Sequence, residues 1–131
     1  MPVGTLQCTV LDCPDPHTLA RFYATLLGGE VNRPDPRWAC GADWSTLHVA
    51  PGQILCFQRV TPYTPPSWPD PHRPAQFHLD VQVGDLAEAG RSARAAGATL
   101  LDAETGGRTW HVYADPAGHP FCLVRHTEKQ P

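Results

Sequence analysis

The sequence predicts an α+β chain built from two copies of one βαβββ unit, and three observations predict it. The stretch 76–98, QFHLDVQVGDLAEAGRSARAAGA, reads as a strand, a capped helix and a glycine stop in one run. The same succession occurs once before, over 6–28. The repeat can also be counted: Cys8 stands seven residues before Asp15 and His78 seven before Asp85. Trp44 stands eight before Gly52 and Trp110 eight before Gly118, while Cys56 and Cys122 each follow that glycine by four. A single unit would leave one face of its sheet open, so the two are expected to bury their sheets together.

Residues 6–11 alternate as a strand, bounded by Asp12-Cys13-Pro14. Asp15 is placed to cap a helix, and Pro16 takes the first turn, where a missing N–H costs nothing. Leu19, Phe22, Tyr23, Leu26 and Leu27 form its apolar stripe, and Gly28-Gly29 ends it. Residues 30–32 read as a short strand and 33–37 as a proline-broken loop. Residues 44–49 and 54–60 form a hairpin across Ala50-Pro51-Gly52-Gln53, whose Pro-Gly order suits a type II turn.

Six of the fifteen prolines fall at Pro62, Pro65, Pro66, Pro69, Pro71 and Pro74, which excludes helix and central strand from that segment. The organisation expected is one domain over 1–131, made of a first module (1–60), a proline-rich linker (61–75) and a second module (76–126). In the second module, Phe77, Leu79, Val81 and Val83 alternate with His78, Asp80 and Gln82 as a strand over 76–83. Asp85 caps a helix over 85–96, with Glu88 three residues on as in a capping box. Leu86, Ala89, Ala93 and Ala96 are its small buried side. Strands are expected over 99–102, 109–114 and 120–126, with a loop over 104–108 and a frayed tail over 127–131.

The chain is 41% hydrophobic and 18% charged, with a net charge of −3. Its ten basic residues form no run, so nothing points to nucleic acid. No apolar stretch approaches the ~20 residues of a membrane span, and the first residues lack the pattern of a signal peptide. The five cysteines are irregularly spaced. The expectation is a cytoplasmic protein with reduced thiols.

The phrases LDCPDPHTLARFYATLLGGEV, FHLDVQVGDLAEAGRSARAAGA and YADPAGHPFCLV resemble the vicinal oxygen chelate superfamily, and within it the glyoxalase-like and bleomycin-resistance-like proteins. The resemblance implies two βαβββ modules in a curved, incomplete eight-stranded barrel with helices outside, and a homodimer. Metal-dependent members take ligands from the first and last strands of each unit, typically His or Gln, Glu, His and Glu. Carried over, these positions are Cys8, Cys56, His78 and Cys122, with Gln58 an alternative to Cys56. Both expected glutamates are absent.

Several readings follow from that departure. Cys8, Cys56, His78 and Cys122 would make a closed, zinc-type site, or the cysteines are small core residues beneath a cavity. His78 is either a general base, oriented by Asp80 or Gln82, or a cavity-lining group. Asp12 and Asp15 read as turn and cap residues, and His17, His72, His111 and His119 as surface or rim groups. Trp44 and Trp110 are walls of a ligand site or core rings; Tyr63 and Trp68 suit a lid or dimer contact.

The leading expectation is a binder of a small, mainly apolar or aromatic molecule. It needs no cofactor and no catalytic metal, with a divalent metal as the alternative. Its substrate-contacting residues would be Cys8, Trp44, Cys56, Gln58, Tyr63, Trp68, His78, Asp80, Trp110 and Cys122. A lyase or isomerase using His78, or a metal-dependent enzyme of the superfamily, is the alternative.

Overall fold

The computed structural model describes residues 2–103 and 106–125. The tail expected over 127–131, the end of the last strand at His126, and Glu104 and Thr105 of the 104–108 loop lie outside the described residues. The chain divides into two compact units, Met1–Tyr63 and Thr64–Pro131.

Unit 1 contains β1 (Thr9–Cys13), α1 (Pro16–Leu27), β2 (Glu30–Val31), β3 (Trp44–His48) and β4 (Ile54–Arg59). The sheet order is β1-β4-β3-β2, with β1 parallel to β4 and the other pairs antiparallel. The first strand lies later than its alternation suggests. Asp12 and Cys13 continue the ladder against Gln58 and Arg59, whereas Leu6 is 91% exposed. Asp12-Cys13 is therefore strand rather than turn, and Cys8 sits just ahead of β1. Asp15 caps α1 by accepting hydrogen bonds from the Thr18 hydroxyl at 2.8 Å and from its N–H at 3.3 Å. Leu19, Phe22 and Tyr23 face the sheet, and Tyr23 stacks on Phe57 at 6.0 Å between ring centroids. Between β3 and β4, Gly52 takes φ +79°, the conformation a type II turn requires.

Unit 2 repeats the plan with β5 (Leu79–Gln82), α2 (Leu86–Ala96), β6 (Thr99–Asp102), β7 (Trp110–Ala114) and β8 (Pro120–Val124), in the order β5-β8-β7-β6. Again the first strand runs parallel to the last. β5 is shorter than expected, because 76–78 make no ladder pairs and Phe77 is 57% exposed. Asp85 caps α2 by accepting from Glu88 N–H at 3.0 Å. The buried side of α2 centres on Gly90 and Ala93, with Leu86, Ala89 and Ala96 only half-buried. Gly90 is the residue that the sequence reading passes over. The Tyr113 hydroxyl occupies the place where a Cβ would stand, and Tyr113 stacks on Phe121 at 5.8 Å.

The helix contacts fix which sheet face is which. Phe57 and Leu47 share the α1 side of unit 1, so Val10, Trp44, Thr46, His48, Cys56 and Gln58 lie on the opposite, helix-free face. By the same register Asp80, Gln82, Trp110, Val112, Cys122 and Val124 lie on the helix-free face of unit 2.

In unit 1 the segment 33–43 forms a strap held against that face. Asp35 Oδ2 meets His48 Nε2 at 3.1 Å, and the Trp38 ring meets the His48 imidazole edge-on at 6.3 Å. Cys40 Sγ lies 4.0 Å from Thr46 Oγ1. The far end is held by Arg59, which donates to Ala42 O at 3.0 and 3.2 Å and pairs with Asp43 at 3.2 Å. Cys56 is wholly buried, whereas Cys40 on the strap is exposed.

Three expectations follow. Gly90→Ala should cost about 1–3 kcal/mol by overpacking against Tyr113, read as a lower Tm. Adding Tyr113→Phe should return most of it, since a helical alanine is otherwise favoured over glycine. His48→Ala should release the strap, so that Cys56 joins Cys8 and Cys40 among the thiols that react quickly with a disulfide reagent; unchanged kinetics would show the strap held by its other anchors. Both cap carboxylates sit below the ordinary carboxylate range, Asp15 through the Thr18 hydroxyl and Asp85 through the Glu88 N–H. Their folded values lie below their unfolded ones, so each cap stabilises above the unfolded pKa and loses that effect as pH falls through the folded one. Asp15→Asn should therefore flatten the acid limb of a Tm–pH curve below about pH 4 and change little at neutral pH.

Candidate functional site

Parallel pairing of β5 with β8 sets Asp80 directly beside Cys122. His78 precedes β5 by one residue, and its Nε2 lies 3.2 Å from Asp80 Oδ1. The side chains of His78 and Asp80 are 52% and 63% exposed, while Cys122 is buried. The donor atoms of all three lie within 4.8 Å of one another. Burial, and then the Asp80 charge, push the Cys122 thiol up to about 11, with Arg108 opposing. At neutral pH Cys122 is thus a protonated thiol and a poor nucleophile.

Trp110 shares this face, opposite Val124, and is 42% exposed. Arg108 lies over its ring, 4.9 Å from the centroid. The guanidinium donates through Nε to Trp110 O at 3.0 Å and through Nη1 to Asp102 Oδ2 at 3.2 Å, while Nη2 stands 3.1 Å from Asp102 Oδ1. The result is an aromatic wall held at a fixed angle by a buttressed cation.

The corresponding positions of unit 1 carry different chemistry. Val10, not a carboxylate, stands opposite Cys56, and Cys8 takes the place of His78. Burial and the Cys8 thiol drive the Cys56 thiol far above its ordinary value, with Arg37 opposing. Gln58 is exposed beside Asp12 and Trp44 in the ladder. Trp44 is half-buried, with its indole N–H buried and without a hydrogen-bond partner among the described residues. Tyr63 is half-buried at the end of unit 1, and Trp68 is 37% exposed in the turns of unit 2.

The structure thus joins His78, Asp80 and Cys122 in unit 2, and Cys8 with Cys56 in unit 1. The four-ligand set Cys8, Cys56, His78 and Cys122 draws two residues from each unit. Sequence reasoning passes over Asp35 and His48. Arg37 holds the Asp35 carboxylate through a two-pronged contact at 3.0 and 2.6 Å, and His48 adds to it, keeping the acid well below the usual range. His48 Nδ1 is buried and without a partner among the described residues. The available signal was the strand period, which sets His48 on the face of Trp44 and Thr46. It also passes over the Arg108–Asp102 pair, whose signal was Arg108 two residues before Trp110.

As a donor set for a metal, His78, Asp80 and Cys122 offer imidazole, carboxylate and thiolate. Nitrogen and sulfur donors in one cluster suit zinc or another thiophilic ion. They do not suit manganese(II), which favours oxygen ligands.

The model of the family described as "Glyoxalase-like domain" matches residues 8–124. No curated protein matches the chain. A glyoxalase/bleomycin resistance protein/dioxygenase family enzyme from Burkholderia phytofirmans is 18% identical, with a TM-score of 0.67 over 93% of this chain and 98% of that one. A point mutant of the fosfomycin resistance protein FosX from Listeria monocytogenes, complexed with Mn(II) and 1S,2S-dihydroxypropylphosphonic acid, is 17% identical, with a TM-score of 0.65 over 97% and 93%. FosX from Mesorhizobium loti is 12% identical, with a TM-score of 0.67 over 97% and 94%. At these identities the likeness is one of fold, the two βαβββ units of the vicinal oxygen chelate superfamily, while the family match spans nearly the whole sequence: this chain belongs to the glyoxalase-like domain family.

Proposed function

We propose that the protein binds a small, mainly apolar or aromatic organic molecule at the helix-free face of unit 2, as a sequestering or resistance-type protein. The observation that carries this reading is the half-exposed Trp110 ring on the same face as the exposed His78–Asp80 pair. Small-molecule sites combine an apolar or aromatic wall with a few placed polar groups, and this face has both. The Listeria FosX structure holds a small organic molecule, a polar phosphonic acid, and so supports only the coarser reading that this fold can carry a small-molecule ligand. Within the proposal, the protein is a cytoplasmic homodimer.

A second reading has its own support. Asp80 stands where it would orient the His78 imidazole, which would then act as general base in a lyase or isomerase reaction. Carbon-bound protons next to a carbonyl are the groups such a base removes. Cys122, kept as a thiol, would contribute shape rather than nucleophilicity.

Titration with a panel of planar aromatic compounds, followed by tryptophan fluorescence, tests both readings. Binding is expected to quench the signal, and Trp110→Ala to weaken affinity by about tenfold, the loss expected for one aromatic contact. Ligand recovered unchanged supports sequestration. A new product that disappears in His78→Gln, with binding retained, supports the base. Affinity indifferent to Trp110→Ala and His78→Ala would overturn the placement of the site on this face.

A further inference from the structure

We propose that Cys8 and Cys56 of unit 1 form a hydroperoxide-sensitive thiol pair that closes to a reversible disulfide. The inference goes beyond the organic-ligand reading, which rests on unit 2 and is not needed for it.

The register brings the two sulfurs together. Val10 pairs with Cys56 across the parallel ladder, and Cys8 stands two residues before Val10, on the same face by the strand alternation. After burial, the Cys8 thiol is what most holds the proton on Cys56. Arg37, gripped by Asp35, directs its charge at both sulfurs. Cys13, also in unit 1, pairs with Arg59 and so lies on the α1 side of the sheet, away from Cys56. Unit 2 has no counterpart, since Cys122 is its one cysteine and meets Asp80.

Their surroundings give the two thiols different parts. Cys8 is half-buried, so a small solute reaches it. Cys56 is wholly buried and stays protonated at neutral pH, so it is not the group oxidised first. A partly exposed thiol beside a cation is where oxidation begins, and a second thiol within reach is what stops it at the first, reversible stage. Strand spacing and rise put diagonal neighbours on one face roughly 8 Å apart between Cα atoms. A disulfide spans at most about 6.8 Å, so closure moves Cys8 toward β4 by about 1–2 Å. Cys8 stands ahead of the first ladder pair, at Thr9, and Leu6 beside it is already 91% exposed, so that end of the chain moves without taking the sheet apart.

The chemistry has two steps. The Cys8 sulfur attacks one peroxide oxygen, the O–O bond breaks, and the alcohol leaves with the thiol proton, giving Cys8 sulfenic acid. The Cys56 sulfur then attacks the Cys8 sulfur, the S–O bond breaks, and water leaves with the Cys56 proton. The two thiols lose two electrons and the hydroperoxide takes them. In a reducing compartment such a bond is transient, as redox-sensing disulfides are.

The test uses the full chain carrying Cys40→Ser, which keeps a hydroxyl toward Thr46 and removes the exposed thiol. The reduced protein is treated with one equivalent of tert-butyl hydroperoxide, then read by thiol count and by mass spectrometry of non-reduced fragments. The expected result is the loss of two thiols, a fragment linking Cys8 to Cys56, and full recovery with dithiothreitol. The melting temperature of the oxidised form should rise by roughly 5 °C or more, since the bond closes a long loop. Cys8→Ser in the same background should keep its thiols, and Cys56→Ser should stop at a Cys8 sulfenic acid that dimedone captures. Because Cys56 is wholly buried, the linked fragment, which needs no change in the pair, decides the matter where that last variant fails to fold. A bond from Cys8 to Cys13, a Cys8 sulfenic acid with Cys56 still free in the Cys40→Ser protein, or equal thiol loss after Cys8→Ser would each overturn the proposal.

Discussion

The parallel pairing of the first strand with the last within each unit is the constraint on which the molecule depends. β1 lies beside β4 and β5 beside β8, although a helix and two strands intervene in each case. Parallel neighbours cannot be joined by a tight turn, so the chain must leave the sheet and return. The capped helices α1 and α2 make that excursion, and Tyr23 on Phe57, with Tyr113 filling the gap over Gly90, close the layer between helix and sheet. Once the first and last strands are adjacent, residues distant in sequence become ladder partners. Asp80 meets Cys122 for that reason, and Val10 meets Cys56 for the same reason.

The two units share this backbone logic and differ in what they place on it. Unit 2 carries imidazole, carboxylate and thiol at three neighbouring positions, two of them open to solvent. Unit 1 carries two thiols and a valine, with a strap tied down by Asp35 and His48. An arginine over a tryptophan recurs in both: Arg37 over Trp38 at 4.5 Å, and Arg108 over Trp110 at 4.9 Å. In each case an aspartate grips the guanidinium, so the cation stiffens an aromatic ring while much of its own charge is answered locally. The chemistry has diverged at the side chains while the register has stayed.

The fold was legible because its signals are local. Caps at Asp15 and Asp85, the Pro-Gly turn before Gln53 and the alternation in each strand need only short windows of sequence. The strand ends were less so: Asp12-Cys13 has turn-like composition but is drawn into the ladder by Gln58 and Arg59, partners 46 residues on. The site was half legible. His78 and Cys122 were reached through the repeat and the family resemblance, and Asp80 through its place on the strand. Asp35–His48 and Arg108–Asp102 were not, since each joins a loop to a strand and nothing in the spacing reveals how a loop folds back. The close approach at Gly90 escaped for a related reason: an absent side chain carries no periodic signal.

The exposed thiol of Cys40 has a practical consequence. Cys13, Cys56 and Cys122 are buried and Cys8 is half-buried, so Cys40 is the sulfur that a second molecule meets first. In aerated buffer, oxidation will link chains through the strap. Such a species runs as a dimer on a sizing column and reverts with reductant, whereas an assembly held by packed surfaces survives it. Any measurement of subunit number on this protein has to be made with the thiols kept reduced, or it will count a storage artefact as architecture.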